Sequence, residues 1–165
     1  MCKLTMGSVE NLAKNSSIRM RISHEISSAV LHHCNAGFLR YARHKLCKLI
    51  LPPPPNRLVV CPTLFDMKLL LDPQDTVGNY IYYFGEWEPG TLWFLKNYLR
   101  RGDVFLDVGA FIGDMSCFAS VLVGNQGLVY SIEPSSQSYS MLCENIRMNN
   151  LANVQTYKFA LGNEV

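Results

Sequence analysis

The chain has 165 residues, 48% hydrophobic and 17% charged, with a formal net charge of +2. That is enough for one domain with a core, and it excludes a wholly disordered chain. No window approaches about 18 uninterrupted apolar residues, so no membrane-spanning helix is expected, and the first residues lack the apolar segment of a secretory signal, which makes a cytoplasmic protein the expectation.

The small net charge hides an asymmetry: residues 1–57 carry +7 and residues 58–165 carry −5. A basic N-terminal arm on a mildly acidic domain follows. Within the arm, residues 22–50 predict a helix, and this is the segment suited to any contact with a membrane surface. His32, His33, Cys34, His44 and Cys47 match no zinc spacing, so no metal is expected. Pro52–Pro55 form a stiff spacer, and the domain boundary is placed after it, at residue 57. The six cysteines are widely spaced and read as reduced thiols.

Met67–Pro73 and Asn79–Gly85 predict two short strands with a turn between them. Glu88-Pro89-Gly90 opens a helix with Leu92, Leu95 and Leu99 on one face. Next comes "VFLDV", expected to be a strand buried on both sides, then a turn from Gly109 to Gly113. "DMSCFASVLV" predicts a helix that is apolar nearly all round and is stopped by Gly124. "GLVYSIEP" is a second strand, "SYSMLCENIRMNN" a helix with Tyr139, Leu142, Cys143 and Ile146 aligned, and "NVQTYKFAL" a third strand. Strands alternating with helices through short turns imply an α/β fold with a parallel, doubly wound sheet and right-handed crossovers.

The turn carries the chemistry. A phosphate-cradling P-loop needs G-x-x-x-x-G-K-[ST], and the lysine is missing. A dinucleotide turn needs G-x-G-x-x-G, and Phe111 and Asp114 stand on its second and third glycine positions. What remains is D-x-G-x-x-x-G, with Asp107 two residues ahead of Gly109. A carboxylate there repels a pyrophosphate and welcomes a cationic ligand end. S-adenosylmethionine carries an ammonium and a sulfonium and no phosphate, and charge-assisted hydrogen bonds to such groups are worth about 1.5–3 kcal/mol each. Glu133 ends the second strand at the offset where an acid meets ribose hydroxyls. Phe159–Leu161 at the third strand end offer backbone groups to the adenine edge. Gly113 serves either the ligand or close helix–strand packing, Ser116 either a ligand contact or packing, and Glu88 either a ligand or the helix dipole.

With these residues in view, the chain resembles the class I S-adenosylmethionine-dependent methyltransferases. More narrowly, Gly102–Gly113, Ser116, Val129–Ser135, Cys143–Val154 and Ala160–Asn163, with Leu69–Pro89 as a lead-in, resemble the FkbM family. The resemblance covers about residues 66–165. It implies a Rossmann-like sheet, S-adenosylmethionine as cofactor, and a cofactor site of Asp107, Gly109, Ala110, Gly113, Ser116 and Glu133. It also implies methyl transfer to a hydroxyl of a small molecule or sugar, with no nucleic-acid partner. Two departures stand out. The family has Asn where this chain has Phe111, from which weaker cofactor binding is expected. The family also continues with a fourth strand beyond the third, so a truncated copy is expected, and the alternative is an inactive cofactor-binding or interaction module.

Overall fold

A computed structural model describes residues 45, 49, 51 and 53–163. The expected helix over residues 22–50, the basic arm and its histidine–cysteine cluster lie outside the described residues, apart from isolated positions. The chain divides into two compact units: Met1–Asp66 with Leu71–Trp87, and Met67–Leu70 with Glu88–Val165.

The first unit holds strand β1 (Val59–Pro62) and helix α1 (Thr76–Phe84). The helix replaces the strand expected over Asn79–Gly85. Its aromatic run favours a strand by propensity, but both ends carry helix signals. The Asp75 carboxylate accepts from the Gly78 N–H at 2.7 Å, and Gly85 closes the helix at φ 74°. Gly78 also lies so close to the Asp72 carbonyl that a Cβ would sit 2.0 Å from its oxygen. Tyr80 packs against Phe84 and edge-on against Trp87, with ring centroids 5.6 and 5.2 Å apart. Strand β2 (Lys68–Leu71) falls within the expected Met67–Pro73 run, whereas β1 was not anticipated.

The second unit carries the sheet. Helix α2 (Pro89–Tyr98) leads into β3 (Val104–Val108), α3 (Asp114–Val123), β4 (Leu128–Ile132), α4 (Ser136–Met148) and β5 (Val154–Tyr157). The three strands are parallel in the order β3-β4-β5, with Asp107 beside Ser131 and Ile132 beside Tyr157. The α/β fold with a parallel sheet is therefore as expected, and the sheet has three strands.

Both crossover helices lie on one face of this sheet. Right-handed crossovers that step outward twice in the same direction place them there. Ala119, Val123 and Val129 form the core between α3 and the sheet, with Leu99, Phe105 and Val154 packed at its margin. On the other face the residues of β3 are exposed, while their neighbours on β4 are half-buried or buried. Val104, Leu106 and Val108 are 65%, 56% and 55% exposed, which corrects the expectation that "VFLDV" is buried on both sides. A continuous apolar run reports the apolarity of both faces, not what covers them.

One buried amide ties the parts of this unit together. Asn145 of α4 is fully buried. Its Nδ2 donates to the Leu70 and Ile112 carbonyls, and its Oδ1 accepts from the Leu70 N–H at 2.6 Å. Cys61, Cys117 and Cys143 are free thiols, and burial pushes Cys61 and Cys117 up to about 12. Among the described residues no helix is long and apolar enough to cross a membrane, and no cluster of His, Cys, Asp or Glu suits a metal.

Candidate cofactor site

The carboxyl ends of parallel strands form the crevice in which open α/β sheets bind ligands, because helix N-termini and loop backbones converge there. The sequence-predicted residues gather at this end of β3 and β4. Asp107 stands on β3, the turn follows it, and Glu133 stands one residue beyond β4.

The turn is built by backbone bonds. The N–H groups of Gly109 and Ala110 both donate to the Ile132 carbonyl, at 2.9 and 3.0 Å, which fastens the turn to the end of β4. The Gly113 N–H returns to the Ala110 carbonyl at 2.7 Å. The two glycines then differ in what they do. Gly109 has φ 80°, and nothing lies within 4 Å of where its Cβ would be, so it supplies conformation beside open space. Gly113 has φ 82° as well, but a Cβ there would sit 2.4 Å from Leu142 Cδ1, so it also allows α3 to pack on α4. Ala110 is buried under the turn.

Phe111 adopts φ 50°, a left-handed conformation that Asn takes up far more readily than Phe. Its backbone N–H donates to Glu133 Oε2 at 2.9 Å, while Glu133 Oε1 accepts from the Ser135 N–H at 2.8 Å. The buried Glu133 carboxylate thus clamps the turn to the start of α4. Each of its oxygens keeps a second acceptor position.

Asp107 is half-buried, and its carboxyl is held above the usual range. Burial raises it most, hydrogen bonds from the side chain and backbone of Ser116 oppose this, and the Glu133 charge adds to the rise. Ser116 is fully buried behind it, and Ser131 lies behind Ser116. Sequence reasoning overlooked Ser131, since only the strand register sets it beside Asp107.

It also passed over Asp114, the first residue of α3. Burial, then the charges of Asp107 and Glu88, push its carboxyl up to about 7, against backbone N–H groups that lower it. An acid directly after a turn glycine was the available signal, but such an acid also suits a helix N-terminus. Glu88 precedes α2 at φ 46° and accepts from the Thr91 hydroxyl at 3.0 Å. The site is therefore lined by carboxylates, with glycine backbone on one side.

No family model matches the chain, and no curated protein matches it. Solved structures do. A putative transferase from Pyrococcus horikoshii superposes with a TM-score of 0.50 at 20% identity, over 64% of this chain and 37% of its own. TYW2 from M. jannaschii, solved in complex with AdoMet, matches with a TM-score of 0.46 at 20% identity, over 64% of this chain and 44% of its own. A putative rRNA-methylase from Clostridium thermocellum matches with a TM-score of 0.43 at 20% identity, over 44% of this chain and 39% of its own. The chain spans less than half the length of each. The likeness shows the Rossmann-like fold. It also corrects one expectation: with a putative rRNA-methylase among the matches, a small-molecule acceptor and the exclusion of nucleic acid do not stand.

Proposed function

We propose that this chain is the cofactor-binding part of a class I S-adenosylmethionine-dependent methyltransferase. The observation that carries the reading is the pairing of Asp107 and Glu133 at the ends of adjacent parallel strands, on either side of a glycine turn. The residues fit the cofactor's chemistry. Asp107 offers a carboxylate to an ammonium, and Gly109 leaves open space along the turn. Glu133 keeps an acceptor position on each oxygen for ribose hydroxyls. Glu88, whose charge acts on Asp114, adds negative charge that favours a cationic ligand over a pyrophosphate. When bound, the cofactor supplies a methyl group on a sulfonium leaving group. The protein's share is alignment: the backbone bonds from Gly109 and Ala110 to Ile132, and the Glu133 clamp, hold the turn in one geometry before a ligand arrives. The narrower FkbM-like form of this reading, with oxygen as methyl acceptor, is supported by the sequence segments quoted above.

Calorimetric titration of the full chain with S-adenosylmethionine tests it. Binding is expected, weakened at least tenfold by Asp107→Asn and by Glu133→Gln, and favoured over NAD. No heat at millimolar cofactor from a folded sample would refute the reading. A tritiated-methyl assay against RNA and hydroxyl acceptors then separates a methyltransferase from a module that only binds.

A further inference from the structure

Asp107 stands among acidic groups. Glu133 from the end of β4, Asp114 from the first turn of α3 and the Cys117 thiol one turn later all couple to it or feel its charge, and Glu88 at the head of α2 acts on Asp114. A half-buried carboxylate so placed takes up a proton unless donors hold it charged. Among the described residues both donors come from Ser116, through its backbone N–H and its hydroxyl, with Oγ 2.5 Å from Asp107 Oδ2. Behind Ser116, the Ser131 hydroxyl lies 2.7 Å from its Oγ.

The direction of these bonds is forced. An ionised carboxylate only accepts, so the Ser116 proton points at Asp107, and the lone pairs of Ser116 are left to receive the Ser131 proton. Both serines are 0% exposed, so bulk water does not replace either bond. A buried hydroxyl without a partner destabilises a fold, so two of them in series are not neutral packing residues.

We propose that Ser131 and Ser116 form an ordered hydroxyl relay that keeps Asp107 ionised in one orientation, with its remaining lone pairs presented to the cationic end of the cofactor. The relay rests on the cofactor reading above. Ser116 and Ser131 act through Asp107 and are positioning residues.

The test is a carbon-detected NMR titration of the Asp107 carboxyl in the full, ligand-free chain. Ser116→Ala is expected to raise its pKa by about one unit or more, and Ser131→Ala by less. Ser116→Thr, which keeps a hydroxyl, should stay near the wild type. An Asp107 titration unchanged in both alanine variants overturns the relay. Calorimetry with S-adenosylmethionine gives a second readout. Ser116→Ala should bind several-fold more weakly than wild type at a pH where the Asp107 carboxyl is still titrating, with the gap narrowing at a higher pH, where Asp107 is ionised in both proteins. An equal loss at both pH values marks a merely structural role and also overturns it. The two ideas fail separately: absence of binding by the wild type refutes the cofactor reading, and the ligand-free titration still decides the relay.

Discussion

Phe111 sits at φ 50° on a half-buried turn, and two effects of replacing it oppose each other. A side chain other than Gly, Asn or Asp held in the left-handed region costs about 1–2 kcal/mol. Removing a half-buried Phe ring forfeits about 1 kcal/mol of apolar burial. Phe111→Ala loses the ring and keeps the strain, so it should destabilise by about 1 kcal/mol. Phe111→Asn loses the same ring but relieves most of the strain, so it should lie near the wild type. The difference between the two variants isolates the backbone cost, at about 1 kcal/mol in favour of Asn. For a chain of this length that corresponds to roughly 2–4 °C in melting temperature. Urea and thermal unfolding of the three proteins measure it, and both variants keep the Phe111 backbone bond to Glu133. If Phe111→Ala is as stable as Phe111→Asn, the left-handed strain assigned to this turn is wrong.

Asp114 makes stability depend on pH. Its carboxyl titrates near 7 when folded and near 4 when unfolded, so its contribution is fully present below about pH 4 and is lost as pH rises to 7. Urea midpoints should fall for the wild type between pH 5 and pH 8 and fall less for Asp114→Asn; parallel profiles would contradict this. Asn145→Ala leaves the Leu70 and Ile112 backbone groups without their partner and should cost about 2–4 kcal/mol by urea denaturation, an expectation that fails if the loss is below about 1. Gly113→Ala adds a clash with Leu142 to a left-handed strain and should cost more than Gly109→Ala, which meets open space. Combining Gly113→Ala with Leu142→Ala should give a non-additive recovery in a double-mutant cycle, and strict additivity would refute the proposed contact.

Much of the second unit is legible in the sequence because its signals are local. Gly124 stops α3, Ser135 caps α4, and apolar strands alternate with helices at short spacing. The positions of Asp107 and Glu133 at strand ends follow from the same counting. α1 was misread because the aromatic propensity of Asn79–Gly85 outweighed the Asp75 cap and the Gly85 stop. The open face of β3 escaped notice because hydropathy does not say which side a crossover helix takes. Ser131 and Asn145 are set by strand register and by contacts across more than 70 residues, which no local pattern encodes. Ser116 was readable as a residue near the turn, but its place behind Asp107, facing away from solvent, required coordinates.

The exposed apolar residues of β3 have a practical consequence. Val104, Leu106 and Val108, with Tyr157 near them on the same side, give the folded chain an apolar surface of the kind that binds the dye ANS. Strong ANS fluorescence is ordinarily taken as the mark of a molten globule. Here it should accompany a native, cooperatively melting protein, and it should persist in variants that change the turn. Sulfate, which strengthens apolar association, should drive the chain toward self-association at salt levels that leave its helical circular dichroism unchanged.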